Sequence, residues 1–411
     1  MKPRILYLSY DGMTDSLGQS QVLPYLCGLS REGFEIELIS FEKPDKFLSG
    51  REAIFNLCEN NNIKWHPLSY TKRPPVLSTL YDLFRLRRKA LELHHKNPFQ
   101  LVHCRSYIPG IVGRMLKFKL NIPFLFDMRG FWVDERIEGK IWNRKNPLFN
   151  FIYHSLKKTE RKLFIDASQI ISLTNAAIPE INKIRERNTP IIEVIPCCVD
   201  ESHFDFNKIT GNTSSSIKSK LGFNADDFIL TYLGSISTWY MPDKMLDFFK
   251  VLKSKNQNAK FLVITHEDPT IIINLANERG IDVKDLVIQS ATRKELPEIL
   301  SICDATIYFI TPSFSKIASS PTKKAELLCM GIPTITNDGI GDTTTILESN
   351  HAGFICRNFS QEEYIRAIDF IEVAKKNPNE KNRLRSIGER HFSLKSGVAS
   401  YLKIYRQLLL K

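Results

Sequence analysis

Short apolar runs alternate with segments of helical periodicity along the first half of the chain. The helical segments lie at residues 19–31, 78–94 and 148–164. The apolar runs of strand length lie at residues 4–9, 34–40, 101–105, 124–127, 169–173 and 191–195. This alternation predicts a parallel sheet that is covered by helices on both faces.

The same alternation restarts in the second half of the chain. Predicted strands lie at residues 228–233, 260–265, 286–289, 305–309 and 332–336, and predicted helices at 244–252, 271–279 and 294–303. Residues 205–219 are rich in Asn, Gly, Thr and Ser, which is typical of a linker. The chain length of 411 residues also favours two domains over one.

We therefore predict an α/β protein with two similar doubly wound domains in series. The N-terminal domain would occupy residues 1–204 and the C-terminal domain residues 220–390, with the linker at 205–219. The basic helical tail at residues 391–411 is expected to pack back on the N-terminal domain.

A short segment near residue 325 carries helix signals at both ends. Ser320 is a suitable N-cap and Pro321 suits the first helical position, while Gly331 and Pro333 end the helix. Its first turn also contains Lys323, although a cation there opposes the helix macrodipole.

An anion bound at this helix start would remove the conflict. Free N–H groups over residues 321–324, including that of Thr322, and the ammonium group of Lys323 would hold a diphosphate together. Glu326 lies three residues further on, on the same helix face, and could bind sugar hydroxyl groups. An ordinary ion pair between these two side chains on a solvated face is the alternative interpretation.

Three polar loops follow predicted strands, where ligands bind in open parallel sheets. Each loop also has a purely structural interpretation. The loop after residue 9 could be a flexible connection, the loop after residue 126 a surface ion-pair cluster, and the loop after residue 233 an aromatic loop packed between domains. The candidate site residues in these loops are Gly18, Gln19, Asp127, Arg129, Asp134, Glu135, Gly234, Ser235 and Trp239. Asp127 at a strand end could accept a proton from an acceptor hydroxyl group, and Trp239 could stack on a base.

Charge narrows the range of partners. Lys and Arg number 57 against 45 Asp and Glu, a formal net charge of +12 that favours anionic partners. Residues 72–96 are basic and aromatic, which fits either an anionic membrane surface or an ordinary amphipathic helix with a solvated face. No nucleic-acid-binding module is recognisable, so we expect no nucleic acid partner.

The eight cysteines form no Cys-x-x-Cys pair, and the histidines lack metal-ligand spacing. We therefore expect no bound metal and no cofactor. No signal peptide and no run long enough to span a bilayer are evident, so we expect a cytoplasmic protein, for which peripheral contact with the inner face of the cytoplasmic membrane stays open.

With residues 320–333 and the loop after residue 126, the chain resembles the GT-B glycosyltransferases, specifically the family 4-like group that builds bacterial polysaccharides and glycolipids. The resemblance implies two Rossmann-like domains facing across a cleft. It implies transfer of a sugar from a UDP-, GDP- or dTDP-sugar donor, bound mainly by the second domain, to a hydroxyl group of a glycan or lipid-linked acceptor on the first.

By position, Glu326 matches the second glutamate of the family's Glu-x7-Glu element, which usually holds the donor ribose. The first glutamate is replaced by Ala318, the Arg of a Gly-Arg pair by Ser235, and a catalytic-region His by Asp127. We hypothesise that Lys323 supplies the charge of the missing Arg, without a metal. A nucleotide-sugar epimerase of the same architecture and a non-catalytic nucleotide-sugar-binding partner of a membrane synthase are the alternatives.

Overall fold

The computed structural model describes residues 2–410 and contains two compact units. The first unit comprises the chain up to Pro196, together with Ile317–Ser319 and the chain from Leu394 onward. The second comprises Cys197–Lys316 and Ser320–Ser393. Each unit has its own parallel sheet, which confirms the predicted fold class of two α/β domains.

The first unit is built on a seven-stranded parallel sheet with the order β3-β2-β1-β4-β5-β6-β7. Its strands are β1 (Arg4–Ser9), β2 (Glu35–Glu42), β3 (Ile63–Ser69), β4 (Leu101–Arg105), β5 (Phe124–Asp127), β6 (Gln169–Ser172) and β7 (Ile192–Val194). Its first eight helices are α1 (Ser16–Gln21), α2 (Leu23–Arg31), α3 (Pro44–Asn60), α4 (Leu77–Lys96), α5 (Tyr107–Leu120), α6 (Trp132–Glu138), α7 (Pro147–Asp166) and α8 (Ile178–Arg185).

The second unit has a six-stranded parallel sheet with the order β10-β9-β8-β11-β12-β13. Its strands are β8 (Phe228–Leu233), β9 (Ala259–Ile264), β10 (Leu286–Gln289), β11 (Ala305–Ile307), β12 (Thr334–Asn337) and β13 (Gly353–Cys356). Its helices are α9 (Gly211–Lys220), α10 (Pro242–Lys255), α11 (Thr270–Glu278), α12 (Leu296–Leu300), α13 (Thr322–Cys329), α14 (Thr343–Ser349), α15 (Gln361–Lys376) and α16 (Glu380–Phe392).

The central strands are apolar on both faces because helices cover both sides of each sheet. All six residues of β1 are buried, and so are Phe124, Leu125 and Phe126 of β5. Long apolar runs of this kind are typical of parallel sheets, which explains why these strands were predictable from the sequence.

The predicted linker at residues 205–219 is wrong in its local structure. Most of it forms α9, whose N-cap Thr210 accepts a hydrogen bond from the Thr213 N–H at 3.2 Å. The second unit accordingly begins at Cys197 and not beyond residue 219. Polar composition misled the prediction because Ser and Thr serve caps and exposed helix faces as well as loops.

The predicted helix at 19–31 is divided at Val22, which has the non-helical dihedrals φ −126° and ψ −66°. Pro24 lies at the start of the second piece and lacks the N–H that would continue the hydrogen-bond ladder from α1. The edge strands β3 and β13 escaped prediction, since Pro67 lies within β3 and Gly353 begins β13.

The C-terminal helix α17 (Leu394–Leu409) belongs to the first unit, where it packs on α2 and β4. The Tyr401 hydroxyl group donates to Oδ2 of Asp127 at 3.0 Å, and the Tyr405 hydroxyl group lies 2.8 Å from Nδ1 of His103. None of the helices in the described part of the chain is both long and apolar enough to cross a membrane.

We expect Tyr401→Phe to lower the free energy of unfolding by about 1–3 kcal/mol, because a buried carboxylate oxygen would lose its donor. Denaturant unfolding followed by circular dichroism measures this difference. Tyr81→Phe is the control, because Tyr81 is exposed on α4 and should leave stability unchanged. Equal stability of the Tyr401 variant and the wild type would contradict the assigned hydrogen bond.

Candidate functional site

The start of α13 differs from the predicted one by one residue. The helix begins at Thr322, and Pro321 occupies the N-cap position with no side-chain capping bond. Ser320 does not cap the helix, because its hydroxyl oxygen accepts a hydrogen bond from the Cys197 N–H at 3.3 Å. The N–H groups of Thr322 and Lys323 therefore open a helix end that no side chain caps.

Lys323 projects from this helix start into a cluster of three tyrosine rings, which we call the lysine cage. Its Nζ lies 4.0 Å from the ring centroid of Tyr240, 4.6 Å from that of Tyr232 and 5.5 Å from that of Tyr308. The side chain is only 6% exposed, and Nζ has no hydrogen-bond partner. Ring faces attract a cation, but they do not replace the hydrogen bonds that an ammonium group loses on burial.

Burial without hydrogen bonds makes the amine of Lys323 a weaker base than an ordinary lysine. Burial lowers the pKa of Lys323 to about 7, and the nearby carboxylate of Glu326 opposes that shift only in part. The neighbouring Lys324 is also buried, but its Nζ donates to Oγ1 of Thr343 at 3.1 Å. Of these two adjacent lysines, only Lys323 holds an amine without a hydrogen-bond partner.

Gly234 leaves room beside this amine. It follows β8 with φ +132°, and a Cβ placed on it would lie 2.6 Å from Nζ of Lys323. An L-side chain would therefore be both strained and in collision with the lysine. The predicted glycine loop and the predicted lysine thus meet at one place, at the carboxyl ends of the strands of the second unit.

Ser235, in the position of the family's arginine, contacts a carboxylate. Its hydroxyl group donates to Glu267, which also accepts a hydrogen bond from the Ser237 hydroxyl group at 3.2 Å. Glu267 follows β9, and the sequence analysis missed it. A carboxylate after a strand is the only signal in the sequence that could have identified it.

Trp239 is half-buried and lies beside a cation. Nζ of Lys316 is 3.7 Å from the centroid of its ring, and the Trp239 carbonyl oxygen accepts from the Thr311 N–H at 2.7 Å. The ring is therefore held in place. One of its faces is covered by Lys316, so stacking on a base would use the other face.

Glu326 is buried, and its partner is Arg293. Nη1 of Arg293 lies 2.8 Å from Oε1 of Glu326, and the guanidinium group lies 5.1 Å from the centroid of Phe204. The alternative of a solvated ion pair between Lys323 and Glu326 is therefore wrong, because both side chains are buried and Glu326 pairs elsewhere. Sequence spacing within one helix gave no sign of Arg293.

In the first unit, Asp127 ends β5 in a fully packed environment. Its Oδ2 accepts from Tyr401 and lies 3.6 Å from both Nε2 of His103 and Nη1 of Arg129. Burial raises the pKa of the carboxyl group, but the positive charge of Arg129 and the nearby imidazole of His103 outweigh burial and lower the pKa to about 2. A carboxylate that is only 1% exposed and already accepts a hydrogen bond from Tyr401 is poorly placed to take a proton from an acceptor, so we correct the assignment of Asp127 as a base.

Three other predicted residues of the same loop, Asp134, Arg129 and Glu135, lie in different surroundings. Asp134 is buried and accepts hydrogen bonds from Tyr153 at 2.9 Å and Lys157 at 2.8 Å, so it holds α6 on α7 and is not free for a substrate. Arg129 adopts φ +60° and is followed by Gly130 at φ +137°. Glu135 is half-buried near Gly130.

The loop after β1 is held by a carboxylate that the sequence analysis missed. Glu42, buried at the end of β2, accepts hydrogen bonds from the Met13 N–H at 2.7 Å and the Thr14 hydroxyl group at 2.6 Å. Gly18 is required sterically, since a Cβ there would lie 2.2 Å from the Gly12 carbonyl oxygen. Gln19 is exposed, with Nε2 donating to the Thr14 carbonyl oxygen at 3.2 Å.

A second missed feature of the first unit is a buried arginine at the end of β4. Nε of Arg105 donates to Oδ2 of Asp11 at 2.9 Å, and its Nη1 is buried without a hydrogen-bond partner. Within residues 2–410, no group of three or more His, Cys, Asp and Glu side chains lies together in a way that could hold a metal ion.

Two family models match the chain, one for each half. The model described as Glycosyltransferase Family 4 matches residues 20–203, and the model described as Glycosyl transferases group 1 matches residues 214–391. A curated relative is D-inositol 3-phosphate glycosyltransferase of Rhodococcus erythropolis, which is 17% identical over 325 residues, covering 76% of this chain and 69% of the relative.

Solved structures share the fold at low sequence identity. Sucrose-phosphate synthase from Thermosynechococcus elongatus has a TM-score of 0.73 at 13% identity, with both chains covered completely. HepE of Anabaena, solved in complex with UDP, has a TM-score of 0.72 at 14% identity, with 98% of this chain and 100% of HepE covered.

The two family models, one for each half of the chain, describe the same class of enzyme. Both models describe glycosyltransferases, and together they account for nearly all of the chain between residues 20 and 391. The chain therefore belongs to the family 4-like glycosyltransferases of the GT-B fold.

Proposed function

We propose that this enzyme transfers a sugar from a nucleoside-diphosphate sugar to a hydroxyl group of a glycan or lipid-linked acceptor, without a metal ion. The observation that carries the proposal is the buried amine of Lys323, which has no hydrogen-bond partner at an uncapped helix start. A diphosphate would supply the missing hydrogen bonds and the opposite charge at the same time.

The leaving diphosphate would gain negative charge while the bond to the sugar breaks. The ammonium group of Lys323 and the N–H groups that begin α13 would stabilise that charge, and interactions that strengthen in the transition state raise the rate. Gly234 would let the diphosphate oxygens approach the amine closely, because no side chain fills the space beside Nζ. These cationic and N–H groups would meet the diphosphate charge without a bound metal.

The remaining residues of the second unit would bind the rest of the donor. Glu326, positioned by Arg293, would accept hydrogen bonds from the ribose hydroxyl groups. Trp239 would stack on the base through the face opposite Lys316. The UDP complex of HepE, which shares this fold, supports a uridine nucleotide as the first donor to test, with GDP- and dTDP-sugars as the alternatives.

We place the acceptor on the first unit, at the carboxyl ends of its strands. Arg129 and Glu135 would contact it there, beside the loop that carries Gly18 and Gln19. Asp127 would orient Arg129 by charge and would not act as a base. Both family models describe transferases, so we set aside the epimerase and the non-catalytic partner.

We further propose that α4 contacts an anionic membrane, which would bring the enzyme to the inner face of the cytoplasmic membrane. Leu77, Leu80, Tyr81 and Phe84 are each more than half exposed and follow the i, i+3, i+4, i+7 spacing of one helix face. Buried Asp82 fixes this end of α4 to the end of β1, because it accepts a hydrogen bond from the Tyr10 hydroxyl group at 3.1 Å. A lipid-linked acceptor would lie at such a surface.

Replacing Lys323 by Met should weaken UDP binding about 10- to 100-fold, because one charge-assisted hydrogen bond contributes about 1.5–3 kcal/mol. Isothermal titration calorimetry with UDP measures the effect. Methionine keeps most of the side-chain volume, so the lysine cage should stay packed.

Lys324→Met is the matched control for this experiment. Lys324 is a buried lysine on the same helix, but its amine is satisfied by Thr343. UDP affinity should change by less than about twofold in the control, since no ligand contact is removed. Equal losses of affinity in both variants would show that helix α13 was disturbed and that Lys323 has no special role.

UDP binding at pH 8 should take up close to one proton per site. With a pKa of about 7, the amine of Lys323 is mostly neutral at that pH, and a bound diphosphate raises the pKa so that the amine becomes charged. Calorimetric titrations in buffers with different ionisation enthalpies count the protons. Lys323→Met should bind without this uptake, and a wild type that takes up no proton would contradict the assignment.

Reversing two exposed charges of α4, Arg87→Glu with Arg88→Glu, should weaken binding to vesicles containing phosphatidylglycerol by about thirtyfold or more. Each basic residue near an anionic surface contributes about 1 kcal/mol. Lys220→Glu with Lys376→Glu makes the same change in net charge at exposed positions of the second unit and should leave binding nearly unchanged. Co-sedimentation measures both, and equal binding of the two variants would argue against a role for α4.

A further inference from the structure

The turn between α6 and α7, with the first turns of α7, exposes large apolar side chains that no other part of the fold covers. We call residues 140–151 the α6–α7 corner. Phe151 is 71% exposed, and both Ile141 and Leu148 are more than half exposed. Leu148 and Phe151 are three residues apart on α7 and therefore share one helix face.

Aromatic packing holds the corner in a defined shape. The rings of Trp142 and Phe149 are stacked with centroids 6.3 Å apart, and Trp142 also meets Trp132 edge to face at 5.8 Å. The N–H groups of Ile141 and Trp142 both donate to the Arg136 carbonyl oxygen, at 3.0 and 2.8 Å. The exposed apolar groups thus project from an ordered turn, whose shape is fixed before any partner arrives.

The charge around these side chains has one sign. Residues 139–159 contain five Lys or Arg and no Asp or Glu. Lys157 is engaged inward with Asp134 and Glu160, which leaves Lys140, Arg144, Lys145 and Lys158 exposed. Exposed apolar groups surrounded by cations fit an anionic lipid surface, since lipid chains take up the former and phosphates the latter.

Topology sets the position of the corner within the first unit. Helix α6 follows the carboxyl end of β5, and α7 ends directly before β6, so α7 begins near the carboxyl ends of the strands. The exposed stripe of α4 also lies at the start of a helix that follows a strand end, in this case β3. Both surfaces therefore belong to the edge of the sheet at which we place the acceptor.

We infer that the α6–α7 corner is a second membrane-docking surface, which inserts Ile141, Leu148 and Phe151 into an anionic bilayer. Two separate contacts fix the orientation of a domain on a membrane better than one helix alone. The first unit would then rest with its acceptor edge on the lipid. The inference rests on the proposed membrane contact. It also predicts that substitutions in the corner weaken vesicle binding while α4 is unchanged, which a contact through α4 alone does not explain.

The test is co-sedimentation of the full chain with phosphatidylcholine vesicles containing about one-third phosphatidylglycerol. Leu148→Ser with Phe151→Ser should weaken vesicle binding about tenfold or more, because two large apolar side chains would no longer enter the lipid. Phe118→Ser is the matched control. Phe118 is 63% exposed and also lies beside an arginine, but it is near the end of α5, at the opposite edge of the same sheet.

Circular dichroism and thermal unfolding of each variant show that the first unit is folded, and UDP affinity, measured by calorimetry, separates this inference from the proposed function. Weak vesicle binding of the corner variant with unchanged UDP affinity supports the inference. Wild-type vesicle binding of the corner variant, while the α4 variant binds weakly, overturns it and leaves the proposed function intact. Vesicle binding that is weak in the Phe118 control to the same degree overturns it as well.

Insertion is tested independently with Phe151→Trp. Its added fluorescence should be quenched by lipids with brominated chains, because the ring would lie among them. A tryptophan at this position that binds vesicles with the protein but is not quenched would overturn the insertion of Phe151.

Discussion

The buried amine of Lys323 is the constraint on which the proposed donor site depends. An ammonium group removed from water without a hydrogen-bond partner is costly, and three tyrosine rings compensate only part of that cost. The cost falls when the amine gives up its proton, which is why its pKa drops to about 7. A bound dianionic ligand would raise the pKa of the Lys323 amine again, so we expect this amine to take up a proton when the ligand binds.

Several other features of the second unit are consistent with a ligand bound at that amine. Glycine suits position 234 because its φ of +132° would strain an L-residue, and a Cβ there would lie 2.6 Å from Nζ; the start of α13 has no side-chain cap to compete with a ligand for its N–H groups. The nearby Glu326 is turned toward Arg293, which keeps its carboxylate from pairing with the lysine. In the proposed donor site, Lys323 would supply the positive charge of the family's arginine, whose position Ser235 occupies in this chain.

The fold was largely predictable from the sequence, whereas the site was predictable only in outline. Central strands such as β1 and β5 contain unbroken apolar runs, at residues 5–8 and 124–126, so burial on both faces is visible in the sequence. The partners of Asp127 were not visible, because Tyr401 lies 274 positions away and His103 belongs to a different strand. Ser320 looked like a cap because its residue type suits one, but the Cys197 N–H takes that oxygen. Glycine and lysine at strand and helix ends were recognisable, but the tyrosines of the lysine cage resembled ordinary core residues.

A crystal structure with bound UDP tests the central claim most directly. The account predicts that Nζ of Lys323 lies about 3 Å from a diphosphate oxygen, with the N–H groups at the start of α13 pointing at the same diphosphate. A structure in which UDP binds elsewhere, or in which the amine still lacks a partner while the diphosphate is bound, would contradict it.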